Sequence, residues 1–197
     1  MFAGFAAWTK NEGMLVVIAL TVALLFTAWR TAGALPAISE CGLFLAGAFP
    51  VLCLVLWFKL FAAPPDPLVH GMGESILHKL SDPGRWVHVA AGFLNGLPAA
   101  PLLVLASAAV LLRPRPRSAI PGAAPLLPLI AFAIVLAGDF AVFLLTNADP
   151  DWLFATALDR LYLQLWGLLV LSVFLLLRSP EDFAIPVPAP KSRKAAR

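Results

Sequence analysis

The stretch Thr146–Trp166, TNADPDWLFATALDRLYLQLW, gathers residue types that do chemistry, in a chain otherwise made mostly of hydrocarbon. An acidic turn with Asn147, Asp149 and Asp151 leads into a segment that carries Asp159 and Arg160 at the mouth of an apolar run. With Trp152–Gln164 helical, Trp152, Thr156, Arg160 and Gln164 recur every four residues and form one slowly drifting stripe. An aromatic ring, a hydroxyl, a guanidinium and an amide in line suit a ligand with a phosphate and a sugar. The guanidinium offers a planar fork for phosphate oxygens. Asp159 points about 100° away from Arg160 and cannot share its face. A plainer role stays open: Arg160 snorkelling to headgroups, Trp152 in an interface belt, Asp159 paired with a neighbour.

Other candidates lie outside this stretch. Asp139 sits inside an apolar run, where a carboxylate is either functional or hydrogen-bonded to a neighbouring helix. Lys10 and Glu12 form a small charged knot between apolar segments, which an ordinary loop would also carry. His70, His78 and His88 are spaced by eight and ten residues, unlike a compact zinc site, and read as interfacial polar residues. There is no phosphate-binding glycine loop, no G-x-G-x-x-G, no G-x-S-x-G and no CxxC, so soluble nucleotide-driven chemistry has no support. No metal site and no cofactor is expected. Cys41 and Cys53 are twelve residues apart. On one helix that is roughly 18 Å, beyond the reach of about 7 Å for a disulfide, so free thiols are expected.

The elements that hold these residues must be membrane helices. Of 197 residues, 61% are hydrophobic and 13% charged, and the mean hydropathy is +0.90. A soluble domain carries about 25% charged residues and could not hide this excess in one core. The formal charge of +3 is modest, and the basic residues cluster beside apolar runs, which argues for membrane orientation rather than nucleic-acid binding. Lys10 before Met14–Trp29 has the polarity of a signal peptide, but Arg30 is poor context for cleavage, so a retained helix is expected.

The pattern predicts an all-α polytopic membrane helix bundle with about five spans: Met14–Trp29, Gly42–Phe61 interrupted at Pro50, roughly Leu94–Leu112, Pro125–Thr146 and Leu161–Leu177. Arg30–Glu40, with Gly33 and Pro36, reads as a short connection. One or two interfacial amphipathic helices are expected in the loop 62–96, with Ser81-Asp82-Pro83 as an N-cap signal. Asn95, Pro98 and Pro101 should make the start of the third span irregular. Residues 1–178 form one membrane domain in this reading, and the Pro/Lys/Arg tail 179–197 is poorly ordered and cytoplasmic. The turn with Arg113, Arg115 and Arg117 and the tail with Lys191, Arg193, Lys194 and Arg197 are separated by two spans. The positive-inside bias puts both in the cytoplasm, and so puts Asn147–Asp159, Ala62–Gly96 and Lys10–Gly13 outside.

Two segments carry a family resemblance. FAAWTKNEG at Phe5–Gly13 resembles the A-A-W-T-K-N-E-G segment between membrane helices of bacterial multi-pass glycosyltransferases of the GT-C type. Thr146–Trp166 resembles their C-terminal signature, approximately T-P-x-D-L-E-W-H-L-A-T-S-L-D-R-L-L-L-Q-L-W-P. Thr146, Asp149, Trp152, Ala155, Thr156, Leu158, Asp159, Arg160, Leu161, Leu163, Gln164, Leu165 and Trp166 match it, while Leu153, Ala157 and Gly167 stand where histidine, serine and proline are expected.

The resemblance implies transfer of a sugar from a polyprenyl-phosphate carrier to an acceptor on the outer face of a bacterial inner membrane, with inversion. The general base is usually an Asp or Glu in an N-terminal outer loop, which this chain, similar to the C-terminal portion alone, is expected to lack. A separately encoded N-terminal half would then be a partner, beside membrane lipids and the lipid-linked sugar. In this reading Arg160 and Lys10 meet phosphate and Trp152 meets sugar or isoprenoid. A non-catalytic membrane protein with a lipid-binding or assembly role is the alternative. A small transporter using Asp139 is a third reading, without the inverted repeats that would favour it.

Overall fold

The computed structural model describes residues 11–62, 72–114 and 125–178. They form α1 (Asn11–Ala32), α2 (Ala34–Phe61), α3 (Met72–Leu80), α4 (Pro83–Asn95), α5 (Ala99–Leu112), α6 (Leu126–Leu145) and α7 (Pro150–Leu176). No strand occurs among the described residues; one isolated bridge joins Pro114 to Leu177. The protein is an all-α polytopic bundle. Four helices, α1, α2, α6 and α7, are long and apolar enough to cross a membrane, and the bent pair α4–α5 makes a fifth span when counted as one.

The expected connection at Arg30–Glu40 shrinks to one residue. Gly33, at φ 92°, occupies a backbone region that L side chains avoid, and the chain reverses there. Pro36 falls in the first turn of α2, where its missing N–H would have had no intrahelical partner. Polar Ser39 and Glu40, which suggested a loop, simply ride on the helix. The two helices fold back on each other, with the Cys41 thiol donating to the Thr21 carbonyl (3.7 Å) and Lys59 Nζ reaching Met14 Sδ (3.4 Å). Both cysteines lie on α2.

Helix α6 is the centre. Ala19 and Ala23 of α1 share a core with Ala131 and Val135 of α6 and Leu165 of α7, and Gly138 faces Leu15. Small side chains let membrane helices approach closely. Leu15 opposite Gly138, and the alanines one and two turns further on opposite Val135 and Ala131, make α1 antiparallel to α6. On the other side, Phe143 and Leu144 of α6 pack with Val89 and Phe93 of α4 and with Leu153, Leu158 and Leu161 of α7. The expected amphipathic segment and the expected fifth span are one continuous helix, α7, opened by Asp149, whose carboxylate accepts from Asp151 N (3.3 Å), with Pro150 behind it.

The helices expected in the loop 62–96 are α3 and α4. Asp82 caps α4 by accepting from Gly84 N (2.9 Å), with Pro83 in the first turn. The irregular start expected for the third span is a break at residues 96–98, where α4 and α5 meet at a bend of 67°. At the opposite end of the bundle Arg178 N donates to Arg113 O (3.1 Å), so the ends of α5 and α7 lie side by side.

Candidate functional site

The last carbonyls of a helix have no intrahelical donor and carry a partial negative charge. At the end of α6 two cations meet them. Lys79 Nζ donates to Leu145 O (2.7 Å), Thr146 O (2.9 Å) and Asn147 Oδ1. Arg85 Nε donates to Leu144 O (2.6 Å), and its Nη2 to Phe143 O (3.2 Å) and Thr146 O (2.8 Å). The clasp works because α3 and α4 are joined by the two-residue turn Ser81-Asp82, which sets both cations on one side. Trp86 Nε1 donates to Leu80 O (3.0 Å) across that turn, and its ring lies against Phe140. Lys79 is buried, and desolvation, with the Arg85 charge beside it, holds its ammonium below the usual lysine range.

Around the start of α7 lies a second polar group. His88 Nε2 of α4 and Asp151 Oδ1 of α7 are 2.9 Å apart, and the imidazole rests against the Phe154 ring at 5.8 Å between centroids. Trp152 is exposed, as are Thr156, Asp159 and Gln164; Arg160 is half-buried. The Thr156 hydroxyl donates to Trp152 O (2.7 Å). Trp152, Thr156, Arg160 and Gln164 therefore do form a stripe on a continuous helix, as their spacing predicts. Lys10 lies outside the described residues, and of Glu12 the backbone alone is described. Asp139 is 4% exposed within α6.

Between the bent pair and the α6–α7 hairpin is a cavity of about 710 Å³, whose walls include Leu94, Pro98, Leu136, Phe140, Tyr162 and Trp166. Its walls are apolar; the Tyr162 hydroxyl is spent on Phe93 O. Phe93 forms part of the wall, edge-on to Phe140 (5.5 Å) and Tyr162 (6.2 Å). The size falls within the roughly 300–1,000 Å³ of small-molecule sites. The cavity and the stripe take different faces of α7. Arg160 stands roughly 120–180° around the helix from Tyr162, Leu165, Trp166 and Leu169, which line the cavity. The structure thus brings Asp149, Asp151 and Trp152 together at one polar end, and sets Arg160 and Gln164 on a face turned from the apolar pocket.

Sequence reasoning missed Lys79, Arg85 and the His88–Asp151 pair. The partners of these residues lie 58 to 68 positions away. The local signal was the strong amphipathic pattern of α3 and α4, which marks a polar face without naming what it meets. Comparison with known proteins gives no match: no family model, no curated protein and no solved structure matches this chain.

Proposed function

We propose that this chain is the C-terminal part of a membrane glycosyltransferase of the GT-C type, in which α4–α7 bind a polyprenyl-phosphate sugar. The observation that carries the reading is the 710 Å³ apolar cavity between the bent pair and α6–α7. It lies among helices long and apolar enough to span, and such helices put it at hydrocarbon depth. A wall with hardly a polar group favours a hydrocarbon chain and excludes a charged headgroup. The headgroup belongs at the start of α7, where Asp149, Trp152, Thr156 and Asp159 of the resembling segment stand at the surface. Arg160, Gln164, Lys10 and Glu12 are its further candidates by resemblance, and the turn of α7 between Arg160 and the cavity requires the phosphate to pass around the helix to meet the guanidinium. In this proposal the membrane is a bacterial inner membrane, the polar end faces outward, and the C-terminus is cytoplasmic.

The test uses the purified chain in lipid nanodiscs and a polyprenyl-phosphate glucose with a labelled sugar. Ala137 lines the cavity from an exposed position, so Ala137→Trp fills the space without entering the core. Binding should weaken at least tenfold, about 1.4 kcal/mol. Val142→Trp, exposed and outside the cavity, should bind as the wild type does. Equal binding by both variants and the wild type would remove the cavity from the site. Binding of the polyprenyl phosphate without preference for the sugar would favour a non-catalytic lipid-binding protein.

A further inference from the structure

We infer that Arg85 binds the phosphate of the lipid whose chain lies in the apolar cavity; the inference rests on the lipid binding proposed above and not on the transfer of a sugar. The resemblance covers Phe5–Gly13 and Thr146–Trp166 and assigns nothing to Arg85. Of the five N–H groups of its guanidinium, three are spent: Nε on Leu144 O, and Nη2 on Phe143 O and Thr146 O. Nη1 makes no bond among the described residues and is not buried. Lys79 beside it has no such reserve, since its three donors are taken by Leu145 O, Thr146 O and Asn147 Oδ1. Charge leads the same way. Arg85 and Lys79 bring two positive charges to a helix end worth about half a negative one. Neither has a carboxylate partner among the described residues. Asp82 and Asp149 cap helices, and Asp151 pairs with His88. The centre is therefore short of an anion, and a phosphate with oxygens for the open edge of the guanidinium supplies one.

Position joins this centre to the cavity. Helix α6 has 20 residues and is about 30 Å long, the thickness of a hydrocarbon core, so its last carbonyls come out at the boundary where lipid phosphates begin. Phe140 lines the cavity, and Leu144, whose carbonyl Arg85 holds, stands one turn further out, about 6 Å along the axis. Trp86, next to Arg85 in the chain, lays its ring against Phe140 at 5.9 Å and is 42% exposed. Ala90, one turn further along α4, lines the cavity in its turn. A chain held in the cavity leaves it past Trp86, with its phosphate at Arg85 Nη1. Arg160, by contrast, stands on a face of α7 turned from the cavity. A headgroup beyond the phosphate then comes to the turn between α6 and α7, where Asn147 and Asp149 are exposed.

The experiment compares, for the full chain in phosphatidylcholine nanodiscs, the affinities for polyprenyl phosphate and for polyprenol, the same chain without phosphate. The wild type should prefer the phosphate. Arg85→Met should keep polyprenol binding, which checks the fold and the cavity, and lose about tenfold or more of the preference. Arg85→Lys keeps a cation for the carbonyls of α6 but has no donor left over, and should lose about threefold or more. Where Arg85→Met fails to bind polyprenol, Arg85→Lys decides. Lys79→Met removes a cation from the same clasp without removing an open donor, so it controls for lost stability and should keep the preference within about threefold. Phosphatidylglycerol and inorganic phosphate are then added as competitors. Competition by phosphatidylglycerol that depends on Arg85 makes a bilayer lipid an occupant of the same site. Competition by inorganic phosphate at equal concentration would sever the site from the cavity and overturn the inference. A preference unchanged in Arg85→Lys overturns it, as does an equal loss in Lys79→Met. Equal affinity of the wild type for the two ligands overturns it too, and leaves the cavity reading standing. Absence of binding of either ligand by the wild type sinks the cavity reading as well.

Discussion

Lys79 and Arg85 show how a few side chains set the position of whole helices. Between them they satisfy the carbonyls of residues 143–146 at the end of α6. A hydrogen bond to a charged group contributes roughly 1.5–3 kcal/mol, and losing a partner leaves a desolvated carbonyl behind. Lys79→Met should therefore lower the stability of the detergent-solubilised protein by about 2–3 kcal/mol, read as a lower thermal midpoint, and Arg85→Met should do the same. The pH dependence has a definite sign. The Lys79 ammonium is held below the usual 10.5 by burial, with Arg85 adding to it. In the window just below 10.5 the unfolded chain binds more protons than the native one, so stability rises with pH there. Compared with Lys79→Gln, the wild type should gain stability as the pH climbs through that window. A difference that stays flat with pH would mean that Lys79 titrates alike in both states.

At the scale of elements, the sequence makes the helices legible and hides their faces. Long apolar runs, the Asp82-Pro83 cap and the prolines at 98 and 101 announce α1, α2, α4, α6, α7 and the break before α5, whereas the Asp149 cap of α7 comes from the structure alone. Polar residues near helix ends mislead: Ser39 and Glu40 look like loop and are helix. The amphipathic segment at Trp152 looks separate from the span that follows and is one helix with it. The cavity could not be read at all, because it needs the bend angle and three facing surfaces. Gly92 in α4 and Gly96 at its C-cap let α7 pack closely against this wall. A Cβ at Gly92 would collide with the Phe154 ring, and one at Gly96 with Leu158. Phe154 is itself wedged against Phe143 (5.5 Å) and His88, so it cannot swing aside freely. Overpacking of this kind costs about 1–3 kcal/mol. Gly92→Ala should destabilise by that amount, and Gly92→Ala with Phe154→Leu should lose less than the sum of the two single changes, because the smaller side chain makes room. Strict additivity in thermal unfolding would show that Gly92 and Phe154 do not compete for the same space.

The whole molecule has two unlike ends, and the proposed orientation in a membrane rests on their difference. Because α1 runs antiparallel to α6, Arg30 near the end of α1 shares an end with the start of α6. The main-chain bond between Arg178 and Arg113 joins the ends of α7 and α5, and α7 is antiparallel to α6, so these two arginines belong to that end as well. Three arginines thus meet at one end of the described bundle. At the other, Asp149 and Asp151 stand beside Lys79 and Arg85, whose charges are drawn onto the carbonyls of α6. In the proposed orientation the arginine end lies in the cytoplasm, as the positive-inside bias favours, and this is open to test. Cysteine labelling reads this directly. With Cys41 and Cys53 changed to alanine, Ser81→Cys reports on the exposed turn between α3 and α4, and Thr31→Cys reports on the exposed end of α1. A membrane-impermeant maleimide should label Ser81→Cys on intact cells, and Thr31→Cys only after the membrane is opened. The reverse pattern would invert the molecule and move the proposed transfer to the inner face.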